Sequence, residues 1–292
     1  MKATAFCPAH ITGFFEPCFN PNNLQRSGSR GAGFSLSLGA LSTVELIASN
    51  TQEIAITING TPHPAPVTTL AISHLLGSQP IKVIADITVD LPIGQGFGMS
   101  GAGTLSSCLA ICNLLSLPEQ EGVISSHIAE VSQSTGLGDV VAQHFGGIEI
   151  RREPGVPPYG FLEHILGSYE IVVCIIGEDL STEKILTNRQ HVQHIKMLGK
   201  NCLYELLKKP TFETLVNLSE YFTKKSKLAD NTIIEAITEC KKYGNASMCM
   251  LGNSIFAVGE THKLQDILSK YGTTYCCTIE PKGAYVLKAD NK

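Results

Sequence analysis

Hydrophobic and polar positions change period along this chain, and the change divides it. Up to about residue 147 the apolar positions fall mostly in short alternating or β-branched runs. Residues 3–7, 33–38, 44–48, 53–58, 82–90 and 147–152 therefore read as strands, with Asn59-Gly60 supplying a hairpin turn after the fourth. Three helices interrupt them. Residues 70–76 form a short one. A second runs from Ser100 through Leu105, Leu109, Ile111 and Leu114 to Leu115, and a third over 121–133. Residues 152–160, rich in proline and glycine, read as a junction. Beyond it a strand at 169–176 precedes three segments on 3.6-residue spacing, at 181–207, 212–228 and 232–243. Strands at 247–251 and 255–258, a helix at 263–271 and a strand at 273–287 complete the pattern. The expectation is an α+β protein of two units, residues 1–155 and 156–292, without internal repeats.

One segment does not fit a purely structural pattern. The strand at 82–90, carrying Val83, Ile84, Ile87 and Val89, is stopped by Pro92, and Gly94, Gly96, Gly98, Gly101 and Gly103 follow within ten residues. Glycines remove the Cβ atoms that keep an anion from the backbone, and they permit the positive φ at which N–H groups converge. The helix that begins near Ser100 adds its N-terminal amides and dipole to the same spot. A seat for phosphate is expected.

Three kinds of phosphate loop are to be separated. The chain has no Gly-Lys-Ser/Thr ending, so the Walker type is excluded. Gly96 to Gly101 matches G-x-G-x-x-G, but the dinucleotide version needs a second strand ending in an acidic residue about 20 positions on, and 117–132 reads as helix. The third is a kinase loop. Pro92-Ile93-Gly94-Gln95-Gly96-Phe97-Gly98-Met99-Ser100-Gly101-Ala102 resembles P-x-G-x-G-L-G-S-S-A-A, the central motif of the superfamily named for galactokinase, homoserine kinase, mevalonate kinase and phosphomevalonate kinase (GHMP). Phe97 and Met99 depart from it at positions where similar bulk suffices. The resemblance implies an N-terminal ribosomal-protein-S5-like catalytic domain and a C-terminal ferredoxin-like α+β domain. It also implies ATP bound through Pro92, Gly94, Gly96, Gly98, Met99, Ser100, Gly101 and Ala102, and Mg²⁺ held by Ser100. Without the family, Ser100 serves equally as a helix N-cap.

Composition narrows the classes. With 292 residues, 43% hydrophobic, the chain can bury one large core or two moderate ones, and a formal charge of −4 without a long basic run argues against nucleic acid as a partner. Ten cysteines without a C-x-x-C pair suit a reducing cytoplasm, with Cys108 and Cys112 as buried thiols on an apolar helix. Pro8 and His10 break the short apolar stretch at the N-terminus, and no run is long enough to span a membrane. A cytoplasmic protein is expected, and the resemblance adds a homodimer.

The second constellation is HIAEVSQSTGLGDVVAQHFGG, residues 127–147. It resembles the superfamily segment E…SGxDN…GG, which implies Glu130 as a second metal ligand and Asp139 as the group that orients or deprotonates the acceptor alcohol. Read by themselves, Glu130 is a surface helix residue and Asp139 a helix N-cap. The N-terminal CPAHITGFFEP lacks the arginine and aspartate of the sugar kinases. Together with GSRGAG at 28–33 and STGLGDV, it resembles the archaeal pantoate kinases. That resemblance implies transfer to the 4-hydroxyl of pantoate, with Ser29, His127, Arg151 and Thr182 at the acceptor and His10 and Arg30 near the cleft. A pocket for a small hydroxy acid needs a cation, hydroxyl donors and some apolar surface, which these residues include. GSRGAG reads equally as a turn with a solvated arginine, His127 as a helix-surface histidine and Arg151 as a strand-end cation. Mevalonate, shikimate or a related hydroxy acid is the alternative acceptor, and a nucleotide-binding regulator without catalysis the alternative class. The 248–254 segment keeps one glycine of the superfamily's third motif and reads also as a plain hairpin. His191 and His194 lie three apart on a helix, without a third ligand to make a metal site.

Overall fold

Two long strands organise the molecule in a computed structural model that describes residues 1–178 and 189–290. They are β1 (Lys2–Cys18) and β2 (Gly28–Ala48), antiparallel partners along almost their whole length. Alternation at 3–7 is only the first third of β1. Pro8 and the glycine and aromatic residues after it hide the rest, because proline cannot donate to a ladder. The structure accommodates Pro8 with a register shift between Pro8 and Ala9, and a second shift between Thr12 and Phe14 leaves Gly13 out of the pairing. GSRGAG is likewise not a turn. It is the first part of β2.

The first sheet has eight strands, in the order β12-β1-β2-β5-β3-β4, with β6 on the other half of β2 and β7 on β6. Here β3 is Glu53–Ile58, β4 Thr61–Pro62, β5 Ile81–Val89, β6 Ile148–Glu153 and β7 Phe161–Ile165. The Asn59-Gly60 turn forms as expected, both residues having positive φ, although β4 is only two residues long. β7 escapes the sequence reading because it is short, half-exposed and follows the Pro/Gly stretch. Helices α1 (Pro66–Leu76), α2 (Met99–Leu115), α3 (Glu119–Ser132) and α4 (Asp139–Phe145) accompany this sheet. α2 is its centre, apolar or small on nearly all sides and buried at most positions, Cys108 and Cys112 among them. All ten cysteines are free thiols.

The second sheet has the antiparallel order β11-β8-β10-β9, built from β8 (Glu170–Ile175), β9 (Gly244–Met248), β10 (Ser254–Gly259) and β11 (Thr273–Thr278). It goes with α5 (Arg189–Lys208), α6 (Phe212–Ser226), α7 (Asn231–Cys240) and α8 (Thr261–Leu268). Residues 181–188 of the first expected helix here lie outside the described residues. The strand expected over 273–287 is two. After β11 the chain turns through Pro281 and Gly283, and β12 (Tyr285–Asp290) returns to pair with β1 in the first sheet.

The two sheets share one core. Phe34 on β2 meets Phe212 of α6 and Phe256 of β10 edge-on, with centroids 5.5 and 5.0 Å apart. The fold is α+β, and among the described residues no helix is long and apolar enough to cross a membrane.

Candidate active site

β5 delivers the chain to the glycine loop, and the loop turns into α2. Gly94, Gly96 and Gly98 take φ of +83°, +76° and +60°, the left-handed region open to glycine. Gly98 is the N-cap and no side chain bonds the first turn of α2, so Ser100 lies inside the helix instead of capping it. First-turn amides without a side-chain partner are an anion seat. The loop is held from four directions. Its Phe97 and Gly98 carbonyls accept the His10 amide at 2.9 Å and the Gln143 side chain at 2.8 Å. At Gln95 the carbonyl accepts from Ser254 Oγ at 2.5 Å, and the side-chain amide donates to the Gly177 carbonyl at 3.0 Å.

The loop faces a cleft of about 440 Å³. Ile58, Val67, Ile87, Val89 and Ile93 make one end apolar, while Thr12, Ser29, Ser100, Glu130 and Asp139 make the other polar. Gly94, Gly96, Gly98, Met99, Ser100 and Gly101 line it. Pro92 and Ala102 do not, and the Ala102 amide is used by the Gly98 carbonyl at 2.9 Å. Met250 and Leu251 also line the cleft, so the 248–254 turn does reach it. Gly252 is what permits this. A Cβ there would stand 2.0 Å from the Gln95 carbonyl carbon.

Two carboxylates meet at the polar end. Glu130, buried on α3 and not at the surface, accepts from Ser100 Oγ at 2.7 Å and from Thr135 Oγ1 at 2.9 Å. Asp139 is the first residue of α4, after the N-cap Gly138, so the capping role falls to its neighbour. Gly136 separates the two groups, and a Cβ on it would lie 2.6 Å from Glu130 Oε2 and 3.2 Å from Asp139 Oδ2. Burial pushes the Glu130 carboxyl up to about 7, against the pull of its two hydroxyl donors. Burial also acts to raise Asp139, but the hydrogen bond and charge of His10 and the charge of Arg151 outweigh it and hold Asp139 below the ordinary aspartate value. Asp139 is ionised at neutral pH.

His10 does not face the cleft. It is fully buried on β1, with Nδ1 2.8 Å from Asp139 Oδ1 and Nε2 3.0 Å from Glu149 Oε1. Burial alone would lower its pKa, yet Glu149 and Asp139 together raise it. A ring with a carboxylate at each nitrogen donates from both and is an imidazolium. Arg151, expected at the acceptor, is buried on β6 and does not itself line the cleft. It pairs with Glu149 Oε1 through Nη1, reaches Thr12 Oγ1 at 3.2 Å through Nη2, and leaves Nε without a partner among the described residues. Ser29 and Arg151 stand together against Gly138.

The remaining expected residues are placed differently. His127 is buried, and its Nε2 donates to the Ser27 carbonyl at 2.9 Å, so it supports the turn before β2 and does not line the cleft. Arg30 is occupied by Glu16 through Nε and Nη2 at 2.9 and 2.6 Å. Thr182 lies outside the described residues. His194 donates to the Lys225 carbonyl at 2.8 Å, and no group of three metal-ligating side chains occurs among the described residues. Thr12, Thr135, Gln143 and Glu149 were not singled out from sequence. Only Glu149 left a signal there, since Ile-Glu-Ile-Arg puts two opposite charges on one face of a strand otherwise bound for the core.

No family model matches the chain. It is 35% identical to a pantoate kinase of Methanocaldococcus jannaschii, over 94% of this chain and 99% of that protein. It is 34% identical to a pantoate kinase of Thermococcus kodakarensis, over 94% of each. Among solved structures, a phosphotransferase related to the CoA biosynthesis pathway superposes with a TM-score of 0.89 at 31% identity, covering 98% of both chains. A homoserine kinase from Cytophaga hutchinsonii superposes with a TM-score of 0.72 at 14% identity, covering 98% and 97%, a likeness of fold.

Proposed function

We infer the function from one premise, that the chain belongs to the pantoate kinase family. It transfers the γ-phosphoryl group of ATP to the 4-hydroxyl of (R)-pantoate, giving 4-phosphopantoate and ADP for coenzyme A synthesis. The observation that carries this reading is the meeting of an uncapped helix start, a Ser–Glu pair and an ionised aspartate in one cleft.

The glycine loop and the first turn of α2 take the phosphates, and the apolar end of the cleft takes the base. Ser100 Oγ and Glu130 Oε1, hard oxygens 2.7 Å apart beside that seat, suit Mg²⁺, which neutralises charge on the phosphates when bound. Asp139 has Oδ1 committed to His10, so Oδ2 is the oxygen left for the acceptor hydroxyl. The pantoate oxygen attacks the γ-phosphorus, the bond from that phosphorus to the β,γ-bridging oxygen breaks, and the hydroxyl proton passes to Asp139. A carboxylate held below its usual pKa is a weak base, so orientation of the hydroxyl is its larger contribution in a loose transition state. Thr12 and Ser29 line the cleft for the acceptor, and Arg151, buried directly behind them, supplies the nearest positive charge for the acceptor's carboxylate.

A coupled ADP-release assay over pantoate, mevalonate, shikimate and homoserine tests this. Release should depend on pantoate and Mg²⁺, and in Asp139→Ala kcat should fall about 10²–10⁴-fold while ATP still binds. Turnover of another alcohol with pantoate left unchanged would overturn the substrate, and ATP binding without any turnover would overturn the activity.

A further inference from the structure

The aspartate at the reacting hydroxyl and the arginine on the acceptor side belong to different elements, α4 and β6, yet one buried carboxylate joins them. Glu149 is fully buried, and its Oε1 receives both His10 Nε2, at 3.0 Å, and Arg151 Nη1. His10 carries the connection on to Asp139 Oδ1 at 2.8 Å, and Arg151 carries it to Thr12 Oγ1 at 3.2 Å on the cleft wall. The strand between makes this reach possible. β2 lies between β1 and β6, and at the crossing point, where Thr12 and Glu149 both pair with it, β2 has Gly33. A Cβ on Gly33 would stand 2.7 Å from His10 Nε2 and 3.0 Å from Glu149 Oε1. The glycine leaves the gap through which a side chain of β1 touches a side chain of β6.

We propose that Glu149 is a positioning residue for phosphoryl transfer, orienting Asp139 through His10 and the acceptor-side Arg151 directly, so that base and acceptor cation are set as one unit. This rests on the roles given above to Asp139 and Arg151. The charges require such a centre. His10 and Arg151 are both cationic and buried side by side, and without the carboxylate between them they repel at short range in a medium that screens poorly. Glu149 touches neither the glycine loop nor the Ser100–Glu130 pair, and its second oxygen has no partner among the described residues. Its side-chain influence therefore falls on the acceptor half of the site, since the tie of His10 to the glycine loop runs through its backbone amide, which side-chain substitution retains.

Glu149→Gln keeps the shape and removes the charge. With the whole chain, ATP and Mg²⁺, its kcat should fall and its KM for pantoate rise, each by roughly tenfold or more, as sub-ångström misplacement of reacting groups entails. KM for ATP should stay within about twofold. His10→Asn cuts only the branch to Asp139 and should lower kcat while the pantoate KM holds. Loss confined to one parameter in Glu149→Gln, or a parallel rise in KM for ATP, overturns the proposal as a general disturbance or as no coupling at all. Should Glu149→Gln not fold, judged by nucleotide binding and circular dichroism, His10→Asn decides alone, and unchanged kcat or altered ATP KM overturns it. Asp139→Ala separates the two levels. If that variant stays active, the assignment of Asp139 fails. If it is inactive while Glu149→Gln behaves as wild type, only the role of Glu149 fails.

Discussion

A residue's identity and its surroundings can oppose each other, and Glu130 shows how much follows. Burial lifts its carboxyl to about 7, so in metal-free protein it binds a proton more tightly folded than unfolded, where the ordinary value near 4.5 applies. Its contribution to stability is complete below that ordinary value. It declines as pH rises, because the unfolded chain loses its proton first, and is gone above about 7. The shift corresponds to something on the order of 3 kcal/mol. Glu130→Gln, which cannot ionise, should raise Tm of the metal-free protein at pH 8 by roughly 5 °C, with the gain vanishing near pH 4.5. A thermal melt across that range checks the sign. The same variant should lose turnover, since an amide is a poor ligand for Mg²⁺, and in the wild type the apparent Mg²⁺ affinity should climb between pH 6 and 8. At this scale the sequence was legible where a residue sits in a motif, as Ser100, Glu130 and Asp139 do. It was not legible for His10, Arg30 or His127, expected at the cleft and found bonded to Asp139, Glu16 and the Ser27 carbonyl. A side chain's partner 14 to 129 residues away leaves no local trace.

Elements follow the same division. The loop-to-α2 start is local, because glycine spacing, the proline stop and small residues decide it within a dozen positions. The Asn59-Gly60 turn and the helices α3, α6, α7 and α8 were readable for the same reason, through turn chemistry and period. β1 and the start of β2 were not. Their residues include proline, five glycines across the pair and few alternations, and they stay extended because each is the other's partner over sixteen paired positions. The 248–254 turn carries an element-scale prediction. Gly252 has no unusual φ, so its requirement is room alone, with the Gln95 backbone where a Cβ would go. Gly252→Ala should destabilise by about 1–3 kcal/mol through overpacking. Because the displaced partner is the phosphate loop, KM for ATP should rise more than KM for pantoate. Denaturant unfolding with initial-rate kinetics would measure both.

At the scale of the whole molecule the question is whether two sheets make two independent bodies. Phe34, on the strand that carries Ser29 and Gly33, packs on a helix and a strand that belong with the second sheet, and β12 brings the end of the described chain back onto β1. Phe34→Ala should cost about 3–5 kcal/mol, and both sheets should still melt in one transition. Separate transitions in calorimetry would show that the sheets fold apart. What the sequence determined by itself was the class of the fold and the glycine loop that opens α2, because contiguous spacing encodes both, while its resemblance to known kinases singled out Ser100, Glu130 and Asp139, which the structure brings to one cleft. The tertiary structure alone decided how β12 and β7 join the first sheet, that the 248–254 turn reaches the cleft, and that His10, Glu149 and Arg151 share one buried network across a glycine. These are long-range pairings, whose energies depend on what the distant chain brings to the same point, and residue order in one dimension does not specify that.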